Sequence, residues 1–183
     1  RSTSRAWPAA LPETTRSWFC VTRAIFTLES GDSAGARKLW PDCLKQYPAV
    51  PDVVFSALSF YDGQGDGERS IEVLRAALAA DASNQAYRSS LADRLRISGE
   101  TEEGETLLKE AINAEDASNA AMAWFELGRF RRNATNYVGA AEAMKRAWEL
   151  AKEAGPVAPQ VGLEYAEVLF LAKQFDEALA VAD

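Results

Sequence analysis

Three glycines recur at one interval: Gly31 in LESGDS, Gly65 in GQGDGE and Gly99 in ISGETE stand 34 residues apart, each followed by an acidic residue. A period of that length confines the chain to repeat architectures, in which each unit is one supersecondary element stacked on its neighbour. Other columns keep step. Ala24, Leu58 and Ala92 lie seven residues before the glycines, and Cys43, Ala77 and Ala111 lie twelve after them. Trp40, Leu74 and Leu108 stand three residues before this last set. DASNQA at 81–86 returns as DASNAA at 116–121.

Between these marks the apolar residues follow helical spacing: Ile71, Leu74 and Leu78 form one stripe, and Leu107, Leu108, Ala111 and Ile112 another. Strand-like alternation is absent over any useful length. Each unit therefore reads as helix, short turn, helix. The glycine ends the first helix in a left-handed conformation, where a Cβ costs about 1 kcal/mol.

The stretch YDGQGDGERS at 61–70 shows why the repeat has to be read before the motifs. Asp62, Gln64, Asp66 and Gly67 nearly open a calcium loop. The twelfth position of that loop, however, is Val73, which cannot supply the bidentate carboxylate. A phosphate cradle needs a preceding strand and a Lys-Ser/Thr pair, and both are missing. The stretch is the turn of the second repeat. Likewise, Glu100, Glu102, Glu103 and Glu105 surround a helix start, where acids favour the helix dipole; that accounts for them better than a metal does.

Composition removes whole classes of chemistry. The 183 residues contain no histidine, which excludes Ser-His-Asp and Cys-His catalysis and histidine-containing zinc sites. The net charge of −7 argues against a nucleic-acid surface or an anionic membrane, and no apolar run approaches the ~20 residues of a membrane span. No cofactor loop is present, so the expectation is no cofactor and no enzymatic site within these residues. Two cysteines are too few for a disulfide framework. Cys20 and Cys43 fall on facing helices of one hairpin, so a disulfide is geometrically conceivable; two buried thiols serving as small core residues is the preferred reading. Asn133-Ala134-Thr135 fits a glycosylation triplet, a pattern that also arises by chance. The N-terminus lacks an apolar signal core and an initiator Met, and the last helix stops at Asp183; the chain reads as a piece of a longer protein. Cytoplasm and a bacterial envelope space suit it equally.

The 34-residue helix–turn–helix period resembles the tetratricopeptide repeat family. The fourth unit carries the resemblance best: Trp124, Leu127 and Gly128 match the family's W-x-x-L-G, and Tyr137, Ala140 and Ala147 match the aromatic and small residues of the second helix. Ala24, Ala36, Cys43 and Pro48 fall on the small-residue and closing-proline columns of the first unit. The resemblance implies an all-α, right-handed α-solenoid of about five repeats, the last incomplete. Its boundaries are an N-terminal cap over 1–16, repeats over 17–50, 51–84, 85–119 and 120–157, and a partial repeat over 158–183. Two departures stand out. Arg131 occupies a column the family fills with an aromatic, so it must snorkel or pair with an acid, and Pro41 should kink or end the second helix of the first repeat.

In the family, the second, fifth, ninth and twelfth residues of each repeat line a concave groove. Carried over, the first repeat offers Trp18, Val21, Ile25 and Leu28, and the second Asp52, Phe55, Ser59 and Asp62. The third offers Ala86, Ser89, Asp93 and Arg96, and the fourth Met122, Phe125, Arg129 and Arg132. Apolar residues at one end and arginines at the other would suit a peptide with apolar anchors followed by acids. Two plainer readings stay open: the Trp18 cluster packs under the N-terminal segment against Trp7 or Leu11, and the arginines pair with acids such as Glu126. The family's chaperone-binding members hold a carboxylate clamp on these columns. Val21, Ile25, Phe55 and Ser59 stand in place of its lysine and asparagines, so that partner is not expected. The sequence thus points to a non-catalytic scaffold for another protein or peptide. The alternatives are self-association through the uncapped stripe Ala178, Leu179, Val181 and Ala182, or the substrate-recruiting part of a longer enzyme.

Overall fold

The computed structural model describes residues 11–112, 117–154 and 158–182, and every regular element among them is an α-helix. The helices pair as antiparallel hairpins: α1 (Glu13–Glu29) with α2 (Ser33–Gln46), α3 (Pro51–Gly63) with α4 (Gly67–Ala80), and α5 (Gln85–Ser98) with α6 (Thr101–Lys109). The others are α7 (Ala117–Asn133) with α8 (Tyr137–Ala154) and α9 (Ala158–Leu171) with α10 (Phe175–Ala182). The chain divides into two compact units, Arg1–Asn84 and Gln85–Asp183. The cap expected over 1–16 gives its last four residues to α1; residues 1–10 lie outside the described part.

The turn chemistry explains the repeat. Gly31, Gly65 and Gly99 have φ of 90°, 70° and 96°, the left-handed conformation their spacing predicts. The acidic residue after the first two caps the next helix. Asp32 Oδ1 accepts a hydrogen bond from the Gly35 N–H at 2.7 Å, and Asp66 Oδ1 accepts one from Arg69 N–H at 3.3 Å. In the fourth and fifth turns the left-handed position is held by Thr135 (φ 61°) and Lys173 (φ 63°), with Asn136 taking the cap in the fourth by accepting from Gly139 N–H at 3.0 Å. A β-branched residue is strained there. Thr135→Gly should therefore raise stability by about 0.5–1 kcal/mol, seen as a higher urea midpoint at unchanged slope.

A column of small residues lets the two helices of each hairpin approach. Ala36, Ser70 and Ala140 are fully buried. Gly104 stands in the same column, where a Cβ would lie 2.8 Å from the Ala92 carbonyl oxygen and 3.0 Å from the Phe130 ring. Each unit has its own core. In the first, Trp40, Tyr61, Leu74, Val53 and Val54 are buried, with the Trp40 and Phe60 ring centroids 6.1 Å apart. In the second, Phe125, Met144, Val161, Tyr165 and Leu169 share one buried cluster, and Leu108, Leu127 and Phe130 another.

Two expectations need correction. Helix α2 does not end at Pro41 but runs on to Gln46. Pro41 has no N–H to donate to the Arg37 carbonyl, and its ring is exposed, so the helix continues past it. Cys20 and Cys43 are not free thiols: they form a disulfide between α1 and α2, with Cα atoms 5.8 Å apart. The small-residue column draws the helices close enough for the sulfurs to meet.

Candidate functional site

In the first unit, α1 and α3 pack together, and each presents apolar surface to solvent. On α1, Trp18 and Ile25 lie seven residues apart on one face and are 56% and 39% exposed. On α3, Phe55 is 39% exposed one turn before the exposed Ser59. The Trp18 ring meets Phe19 edge-on, with centroids 5.0 Å apart. Val21 is corrected: it is buried beside Ala24 on the inward face of α1 and cannot touch a ligand. Trp7, a candidate cover for Trp18, lies outside the described residues.

In the second unit the expected arginines are brought together, but not left free. Arg96 Nε donates to Asp93 Oδ1 at 3.2 Å. Arg129 pairs with Glu126 at 3.4 Å and Glu164 at 3.8 Å, and Arg132 pairs with Glu164 at 3.4 Å and Glu167 at 3.2 Å. Three guanidinium groups thus face four carboxylates, so this surface is balanced rather than cationic. Burial pushes the Glu126 carboxyl above its ordinary range; Arg129 offsets part of that, while the Glu164 and Asp93 charges add to it. Ser89 turns its hydroxyl back to the Gln85 carbonyl at 2.9 Å. Phe125 is also corrected: it is 1% exposed, buried in the cluster that includes Val161 and Tyr165, with the Arg129 guanidinium carbon 5.8 Å from its ring centroid.

Arg131, out of place in an aromatic column, solves its burial by pairing. Its Nη2 and Nε reach Glu105 Oε1 at 2.6 and 3.1 Å, and Nη1 donates to the Gly139 carbonyl at 3.0 Å. Burial raises the Glu105 carboxyl, but the hydrogen bonds from Arg131 and Lys109 more than offset this and hold it below the usual carboxylate range. Sequence reasoning placed Glu105 only at a helix start and missed this partner, 26 residues away. Among the described residues no group of histidine, cysteine or carboxylate side chains could hold a metal, and no helix is long and apolar enough to cross a membrane.

The uncapped stripe at the C-terminal end is rearranged. Ala178 and Val181 pack partly against the second unit's core, leaving Leu179 exposed together with Phe170 and Phe175, whose rings meet edge-on at 5.4 Å.

No protein-family model matches the sequence, and no curated protein matches it. Solved structures do. A putative kinesin light chain from Podospora anserina, built of nearly identical TPR-like repeats, is 17% identical, with 94% of each chain covered and a TM-score of 0.61. PilF of Pseudomonas aeruginosa is 18% identical over 92% of this chain and 74% of its own, at a TM-score of 0.59. MamA from Desulfovibrio magneticus RS-1 is 14% identical over 94% of this chain and 93% of its own, at a TM-score of 0.55. At such low identity it is the fold that is shared, and the fold of this chain is the all-α, tetratricopeptide-like repeat solenoid.

Proposed function

We propose that the chain is a non-catalytic interaction scaffold whose α1–α3 face binds a peptide segment of another protein through apolar anchors. The supporting observation is the exposure of Trp18, Ile25 and Phe55 on two packed first helices, the helices that line the groove in repeat proteins of this kind. Burial of such rings supplies most of the affinity at a peptide interface. The arginine-rich face of the second unit plays a lesser part. Its guanidinium groups are already engaged, so an acidic ligand must displace Glu126, Glu164 or Glu167.

The disulfide supports a further element of this reading. We place the protein in an oxidising compartment, because such bonds persist there and are reduced in the cytosol. A second reading, self-association, is favoured by exposed Phe170, Phe175 and Leu179.

One experiment separates the two. A photoreactive phenylalanine analogue replaces Phe55, the cells of origin are irradiated, and adducts are identified by mass spectrometry. A distinct protein captured reproducibly, and lost in a Trp18→Ala background, is the expected result. Adducts only to a second copy of the chain, lost on Phe170→Glu, would move the conclusion to self-association. Labelling unchanged by Trp18→Ala would overturn the α1–α3 face.

A further inference from the structure

The turn of the fourth repeat carries a sequence motif that neither the fold nor the proposed function uses. Of the five asparagines in the chain, only Asn133 is followed two residues later by a serine or threonine. A triplet of this form, with a residue other than proline at its centre, is the acceptor for an N-linked sugar. Chance supplies such triplets readily, so the motif alone carries little. Three structural observations add to it.

The first is exposure. Asn133 is the last residue of α7, and both it and Thr135 are exposed at the turn into α8. The cap of that turn is supplied by Asn136, which accepts from the Gly139 N–H, so the Asn133 amide is not required for it. The second is Thr135 itself, which stands at φ 61° in the column that Gly31, Gly65 and Gly99 fill in the first three repeats. The fifth repeat uses Lys173 there, which is unbranched; a β-branched side chain is the least suited to a left-handed position. Folding alone favours glycine at this column, whereas a sugar acceptor at Asn133 requires a hydroxyl at residue 135. The third is the Cys20–Cys43 disulfide, a bond of the secreted and lumenal compartments in which N-linked sugars are found.

We propose that Asn133 is a modification site that carries an N-linked oligosaccharide. The proposal rests on the oxidising compartment assigned above. Transfer takes place on the extended chain, before α7 closes. The Asn133 side-chain nitrogen forms a C–N bond to the anomeric carbon of a lipid-linked pyrophosphoryl oligosaccharide. The C–O bond to the pyrophosphate breaks, the pyrophosphoryl lipid leaves, and the amide gives up one proton to a base of the transferase. No oxidant or reductant takes part. In the folded chain the sugar projects from an exposed helix end, where its bulk is tolerated and adds to solubility. Asn133 also borders a small cleft with Ser89, Asp93, Glu126 and Arg129. The oligosaccharide therefore stands beside the arginine–carboxylate face of the second unit and hinders macromolecular ligands there.

The test is the mass of the chain purified from its cells of origin, before and after digestion with peptide N-glycosidase, without reductant. The expected result is a mass above that of the polypeptide, which falls on digestion as the Asn133 amide becomes a carboxylate in the peptide map. Asn133→Gln and Thr135→Gly, expressed in the same cells, should lose the added mass completely. Thr135→Ser, which keeps the hydroxyl, should retain it. Thr135→Gly relieves the left-handed position, so its loss of sugar is not a loss of fold, which circular dichroism checks. An unmodified Asn133 peptide in a chain whose Cys20 and Cys43 are joined would overturn the site and leave the compartment standing. The same peptide in a chain with free thiols would overturn both. Added mass that persists in Asn133→Gln would also overturn the site, because the sugar would then lie elsewhere.

Discussion

Removing the Cys20–Cys43 bond lowers the stability of the chain by about 3 kcal/mol. The bond closes a loop of 23 residues, and the chain entropy withheld from the unfolded state by a loop of that size corresponds to roughly that free energy. Cys20→Ala/Cys43→Ala is the cleaner form of the experiment than serine. Cys43 is 2% exposed in a column where Ala77, Ala111 and Ala147 already stand, so alanine leaves neither a buried hydroxyl nor a large cavity. Urea unfolding of the oxidised parent should therefore show a midpoint well above that of the double variant. Adding dithiothreitol should bring the parent down to it and leave the variant unmoved. A parent indifferent to reductant would mean the sulfurs are not joined.

Gly104→Val is the second large effect, a loss of about 3 kcal/mol. The new Cβ would meet the Ala92 carbonyl oxygen at 2.8 Å, a backbone atom held in the middle of α5, and the Phe130 ring at 3.0 Å. Neither neighbour has room to retreat, since Ala92 and Phe130 belong to one buried cluster, so α6 must move off α5 as a body. The extra methyls of valine add to the overlap. Gly104→Ala is the graded control: it gains helix propensity and should cost less, about 1 kcal/mol. Thermal and urea unfolding of both variants measure the pair. Equal stability of Gly104→Val and the parent would show that the contact between α5 and α6 is loose.

The fold was legible because its determinants are local and repeated. Gly31, Gly65 and Gly99 need a left-handed turn wherever they stand, and the acid after Gly31 and Gly65 caps a helix without help from the rest of the chain. The candidate site was legible only in part, because burial of a given column depends on the helix stacked against it. Phe55 and Phe125 occupy equivalent columns, yet Phe55 is exposed and Phe125 shares a closed cluster with residues of α9. Val21 was misplaced for a similar reason: on α1 it lies three residues from Ala24, on the side that faces the core. Pairing of the arginines with acids such as Glu126 was open to the sequence as a reading, but Glu164 and Glu167 were not, since they come from a helix more than 30 residues on. The disulfide was visible as a geometry, two cysteines opposite each other in one hairpin. A count of two cysteines could not decide whether they pair.

The exchange of Tyr61 for Arg131 in one column has a thermal consequence. In the first unit the column is filled by a buried ring, whose hydrophobic contribution weakens as the temperature falls. In the second unit it is filled by a guanidinium bonded to Glu105 across the junction of α6 and α7, and the penalty for dehydrating such charges shrinks as the temperature rises. One repeat junction is thus favoured by warmth through its ions and the other is penalised by cold through its ring. Two copies of one motif therefore answer temperature by different physics.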